Sequence, residues 1–166
     1  MQTPRTTPQS RRKKLPPPDL LFKVYEEITV VGGHPRLLVL VGNGFLEVLI
    51  TALVKHKLKR GKEISSDSRT YTYGPQLTLL YEASILTDKE FKTLDWYRTI
   101  RNRAAHEPIF RMTEGDFAAL ANPAYADATK LLRLTTDLVG SIWNKHHELF
   151  SPLFADKSVY MAAGDA

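Results

Sequence analysis

The 166-residue chain has no cysteine, so there is no disulfide framework, no thiolate metal ligand and no thiol nucleophile to consider. It has no His-Glu-x-x-His segment either, and the adjacent pair His146-His147 would point two ways from a helix, so no metal and no cofactor is expected. No strand-like alternation competes with helical spacing anywhere in the chain. Long apolar runs are missing as well. The longest, Leu37 to Val41, is cut by Gly42-Asn43-Gly44 and falls short of the roughly 18 residues that would argue a membrane span. Met1 to Lys14 is polar, with a basic cluster after Ser10 and no apolar segment behind it, which is not the pattern of a secretory signal. A cytoplasmic location without membrane contact is the expectation.

Acidic residues are absent before Asp19, and this locates the charge. The net charge of +5 comes from Arg5, Arg11, Arg12, Lys13 and Lys14; the rest of the chain carries 18 basic against 18 acidic side chains and is neutral. Residues 1–18, rich in Pro, Thr, Ser, Arg and Lys, read as a disordered basic arm, suited to nucleic acid, to an acidic partner or simply to solubility. Residues 19–150 read as one helical domain and residues 151–166 as a C-terminal tail.

Within the domain, Asp19 caps a first helix with Leu20, Leu21, Val24, Ile28 and Val31 on its apolar face, ended by Gly32-Gly33-His34-Pro35. A second, more apolar helix opens with Pro35 at N1 and closes at Gly61, with Leu38, Val41, Phe45, Val48, Leu49, Ala52 and Leu53 central. Gly42 and Gly44 each cost about 1 kcal/mol in a helix interior, so close approach of another helix or a kink is expected there. Lys62 to Gly74 has the chemistry of a loop, with Arg69, Tyr71 and Tyr73 as candidate lid or base-stacking contacts. Pro75 starts a third helix to Ile85, with Leu77, Leu80, Tyr81 and Ser84 or Ile85 inward. After Pro108, Ile109 to Met112 crosses in extended form, Thr113 caps a turn around Phe117 and Leu120, and Asn122-Pro123 opens the final long helix. There Ala128, Leu131, Leu132, Thr135, Leu138 and Ile142 keep helical spacing. The expected fold is all-α, an up-and-down bundle of four main helices.

The stretch from Thr87 to Pro108 carries the chemistry. Thr87 with Glu90 three residues on forms a capping box, and Pro108 disfavours helix at Glu107, so the helix runs to about His106. At about 100° per residue, Arg98, Arg101, Asn102, Ala105 and His106 share one side, while Trp96, Ile100 and Ala104 face the other. Asn102 and His106 are four apart and adjacent, and an imidazole in a last helical turn is placed for acid/base work. Arg98, Arg101 and Arg103 form a local basic cluster opposed in sequence only by Glu107. Glu47 is the one acid amid the apolar second helix, facing either Arg101, whose guanidinium it would orient, or solvent.

Arg101-Asn102-Arg103-Ala104-Ala105-His106 has an Arg-x4-His form, with Asn directly after the Arg, that resembles the signature of HEPN domains. The upstream Tyr73-Gly74-Pro75, Leu77-Thr78-Leu79-Leu80-Tyr81 and Ile85-Leu86 are similar, more narrowly, to the mannitol operon repressor-like branch of that superfamily. The resemblance spans roughly Arg36 to Glu107. It implies a small HEPN-like bundle, usually a homodimer that brings two motif surfaces together, often with a polar residue on the second helix near the Arg/His surface. It implies one of two functions. The first is a metal-independent endoribonuclease, toxin or defence related, with RNA as substrate and an antitoxin or regulatory protein as partner. His106 would then move a proton at the ribose 2′-OH or the leaving 5′-oxygen, Arg101 would stabilise the phosphorane, and Asn102 would hold the phosphate or the histidine, with Glu47 and Arg98 supporting. The second is a non-catalytic binding protein or transcriptional regulator, although no helix-turn-helix with a basic recognition helix is visible. Pro108 stands where some HEPN toxins carry a modifiable tyrosine, so control by that modification is not expected.

Overall fold

The computed structural model describes residues 20–120, 122 and 128–155. Among them the chain is all-helical, with eight α-helices, one 3-10 turn and no strand. The helices are α1 (Leu20–Val30), α2 (Pro35–Lys57), α3 (Gly61–Ser66), α4 (Tyr73–Glu82), α5 (Asp88–His106), α6 (Glu114–Ala118), α7 (Leu131–Lys145) and α8 (His147–Ala155); the 3-10 turn is Ala128–Lys130.

The core is built on α2, which packs against α1, α3, α4, α5 and α7. Leu38, Val39, Leu46, Ile50, Leu53 and Val54 are fully enclosed. By length and composition α2 is also a helix that could cross a bilayer, because Gly42-Asn43-Gly44 lies inside the helix rather than interrupting it. Here most of that apolar surface is covered by the neighbouring helices.

The two glycines part company. A Cβ on Gly42 would fall onto the Tyr97 hydroxyl and within 2.6 Å of Thr135 Cγ2, whereas Gly44 has nothing within 4 Å. Gly42 therefore lets α5 and α7 close onto α2, and Gly44 faces outward. The contact is sealed by polar groups: the Tyr97 hydroxyl pairs with Thr135 Oγ1 at 2.9 Å and with the Leu38 carbonyl at 3.3 Å. Burial pushes that phenol well above its ordinary pKa.

Several boundaries differ from the sequence expectation. The second helix ends at Lys57 rather than Gly61, and Gly61 opens α3. The reason is steric: a Cβ on Gly61 would land on the Val54 carbonyl oxygen and 2.7 Å from that of Lys55, so only glycine lets the chain fold back over the end of α2. The expected loop from Lys62 to Gly74 is therefore helical as far as Ser66. The third helix starts earlier, at Tyr73, and stops at Glu82. Of the two residues expected inward at its end, Ile85 packs on the core, whereas Ser84 is exposed and left-handed (φ 57°). Ser84 N–H bonds to Tyr81 O at 2.8 Å and Ile85 N–H to Leu80 O at 2.9 Å, the Schellman pattern with serine where glycine is usual.

The last helical segments also differ. The expected opening at Asn122-Pro123 falls at the edge of the described residues, and regular α-helix starts at Leu131. Residues 1–19 lie outside the described residues, and with them the basic arm and the Asp19 cap. The expected domain end at residue 150 falls inside α8, where Phe150 is fully buried against Trp143 at 5.4 Å and Phe154 at 5.9 Å.

Candidate functional site

The capping box of α5 is formed as its sequence requires: Thr87 Oγ1 accepts from Glu90 N–H at 3.2 Å, and Glu90 Oε2 accepts from Thr87 N–H at 2.7 Å. The helix ends at His106 and Glu107 turns extended. Leu94, Tyr97, Ile100 and Ala104 face the core. Arg98, Arg101 and Asn102 are half-buried at the edge of that face, and Ala105 and His106 are exposed.

The three arginines expected to act as one basic cluster are not equivalent. Arg98 is held by Asp95, with Nε and Nη2 each 2.8 Å from Oδ1, and it lies over Gly74. Arg103 pairs with Glu107 at 2.9 Å and with Asp116, and donates to the Arg111 carbonyl at 3.3 Å. It thus fastens the crossing segment from Pro108 to Met112 back onto α5. Trp96 helps from the same helix, donating Nε1–H to the Asp116 carbonyl at 2.6 Å.

Arg101 is different. Among the described residues it has no ion-pair partner, and its Nη1 donates to Asn102 Oδ1 at 3.2 Å. A guanidinium only donates, so this contact fixes the carboxamide oxygen toward Arg101 and leaves the Asn102 NH2 as a free donor. His106, one turn beyond Asn102, is exposed, and its ring has no hydrogen-bond partner among the described residues. The surface is therefore one unneutralised guanidinium, one oriented amide and one open imidazole, all on the last two turns of α5.

Glu47 is half-buried and forms no ion pair with Arg101. It sits at the head of a groove of about 370 Å³ between α2 and α8 that runs toward Lys55 and His56. The Glu47 charge bears on the Tyr73 hydroxyl, which is buried without a hydrogen-bond partner among the described residues and is pushed strongly upward in pKa, first by burial and then by that charge. Asn43, one turn before Glu47 on α2, is likewise buried with Oδ1 unpartnered. Such orphaned groups are uncommon in folded proteins. The sequence offered a weak sign of Asn43, a polar residue amid apolar ones, and Tyr73 was read as part of a loop.

Arg36 was not singled out by spacing at all. It donates Nη2–H to the Glu107 carbonyl, closing the C-terminus of α5, and with Arg103 it brackets the Phe110 ring at 6.0 and 5.9 Å. Among the described residues no group of three or more His, Asp or Glu side chains is gathered as a metal site. Compared with family models, with curated proteins and with solved structures, the chain has no match, so this surface is interpreted from its own residues.

Proposed function

We propose that the protein is a metal-independent endoribonuclease built on an HEPN-like up-and-down bundle, with Arg101, Asn102 and His106 as its working residues. The observation that carries this reading is the state of Arg101, a guanidinium with no carboxylate partner among the described residues, on the same helix end as an exposed histidine, while Arg98 and Arg103 on that helix are neutralised. A carboxylate on Arg101 would compete with a phosphate, and none of the described residues supplies one. His106 takes the 2′-OH proton or delivers one to the 5′-oxygen, and Arg101 stabilises charge on the phosphorane. Asn102, its oxygen turned to Arg101, donates through its NH2 to the phosphate. RNA supplies its own nucleophile.

A homodimer completes this reading, with Leu37, Gly44 and Val48 exposed along one side of α2 as its seam. Cytoplasmic location and an antitoxin or regulatory partner belong to the same proposal. The competing reading is a non-catalytic binding protein or transcriptional regulator, and the observation favouring it is that no group orients the His106 ring.

The test is cleavage of an RNA pool in EDTA. Products with 2′,3′-cyclic or 3′-phosphate ends, resistance of 2′-deoxy substrate and a loss of about 10²–10⁴-fold in His106→Ala support the nuclease. An inactive wild-type protein, with partner or DNA binding altered by the same substitutions, supports the regulator.

A further inference from the structure

The neutral charge balance of the domain hides a strong local asymmetry. Lys55, His56 and Lys57 end α2, Lys59 and Arg60 form the turn, and Lys62 is the second residue of α3; all are exposed. Arg60 is paired with Glu63, but among the described residues Lys55, Lys57, Lys59 and Lys62 have no anionic partner. From Lys55 to Glu63 the chain carries five Lys or Arg side chains against one acid, Glu63, whereas Lys92 and Lys145 each sit against an acid, Asp88 and Glu90.

Helix electrostatics explain only part of this. Lysines at a helix C-terminus complement the macrodipole, which accounts for Lys55 and Lys57. Lys59 lies past the helix, and Lys62 lies in the first turn of α3, where the dipole favours an acid. Crowding these charges is unfavourable in the free protein, and an anion bound from outside relieves it. The turn is also rigidly built: Leu58 and Ile64 pack on the core, and Gly61 is pressed onto the carbonyls of α2.

We infer that the turn joining α2 to α3 is a docking surface for the phosphate backbone of single-stranded RNA, held by Lys55, Lys57, Lys59 and Lys62. The inference rests on RNA being the substrate, as proposed above, and adds a second place where the strand is held. Two features favour RNA over a membrane. Tyr71, half-buried just past α3, supplies an aromatic residue within nine positions of Lys62, and single strands combine aromatic stacking with cationic contacts. The exposed large apolar residues, Phe22, Val30, Leu37, Val48 and Ile109, all lie outside the turn, so nothing there would enter a bilayer. The groove from Glu47 opens onto Lys55 and His56. Because Arg36 bonds the Glu107 carbonyl beside His106, the turn is roughly 28 Å along α2 from the end of α5 at about 1.5 Å per residue, a span that a strand of several nucleotides covers.

The experiment measures binding of a 2′-O-methyl oligouridylate, which resists 2′-OH chemistry, to the full chain as a function of salt. Replacing Lys55, Lys57, Lys59 and Lys62 together by glutamine should lower affinity about 10- to 100-fold at low salt and flatten the log–log salt slope by about 0.7 per lysine. Replacing the same four by arginine should preserve both, and circular dichroism should stay unchanged because all four side chains are exposed. Undiminished binding with an unchanged slope in the glutamine variant overturns the proposal and assigns RNA affinity to the basic arm or the Arg101 surface. Undiminished RNA binding together with lost adsorption to phosphatidylserine vesicles overturns it in favour of a membrane. Cleavage is scored separately with unmodified RNA. RNA that is bound through these lysines but never cut supports the surface and removes the nuclease; RNA that is cut while the glutamine variant binds normally removes the surface and keeps the nuclease.

Discussion

Arg36, in the first turn of α2, donates to the main-chain carbonyl of Glu107, the residue that ends α5, across 71 residues of chain. Because α2 and α5 run antiparallel, this bond places the end of the candidate catalytic helix against the start of the core helix. Arg36→Ala should therefore lower stability by about 1–3 kcal/mol, the usual effect of removing a charge-assisted hydrogen bond to a part-buried acceptor. Thermal denaturation followed by circular dichroism measures it. A change within a few tenths of a kcal/mol would show the contact to be incidental.

The glycines of α2 should respond in opposite directions. Gly42→Ala forces a methyl against Tyr97 and Thr135 and should destabilise by about 1–3 kcal/mol, as overpacking does. Gly44→Ala meets nothing and should gain about 0.5–1 kcal/mol from helix propensity. If a second copy packs on that face, Gly44→Leu should weaken self-association in sedimentation experiments; an unchanged dimer would move the seam elsewhere.

Arginines on one helix should divide by role. Arg103→Ala removes the ties to Glu107, Asp116 and Arg111 and should cost about 1–2 kcal/mol of stability. Arg101→Ala should change stability by less than about 1 kcal/mol, having no such network, yet lower RNA cleavage by about 10²–10³-fold. Comparing melting temperature with cleavage rate separates the two. If Arg101→Ala unfolds the protein, that residue is structural and the nuclease proposal fails.

Acid should loosen the junction of α7 and α8. Burial, then the charges of Lys145 and Lys57, hold the His146 imidazole below its ordinary pKa, opposed by Glu90, and its Nε2 is buried without a partner. The unfolded chain then binds more protons than the fold, so stability is complete above about pH 6.5 and falls as pH drops from there toward the folded value. Glu90 acts in a lower window. Burial alone would raise its carboxyl, but hydrogen bonds from Lys145 and Thr87 outweigh burial and lower it, so its contribution persists until pH falls below about 4.3. Melting temperature against pH should show a first decline below neutrality that His146→Gln removes. A decline of the same size in that variant would show that another group titrates.

Local chemistry settled some features outright. The capping box at Thr87, the cap at Thr113, the stop of α5 before Pro108 and the apolar period of α7 involve residues within one or two turns of each other, and local hydrogen bonding or helical spacing is enough to place them. The all-helical class follows from the same periodicities. What neighbours in space do to a residue is not local, and there the chain by itself was silent or misleading. Gly61 looks like a helix end, but contact with the Val54 carbonyl makes it a beginning. Serine at position 84 takes the left-handed conformation that glycine would have advertised. Residues 151–155, featureless as a sequence, belong to a helix because Trp143 and Phe150 meet. The arginines of α5 show the same division most clearly. Helical spacing put Arg98, Arg101 and Arg103 close together, but only the tertiary structure could neutralise Arg103 with an aspartate 13 residues away and leave Arg101 unpaired, because a side chain's charge partner is set by which elements pack together.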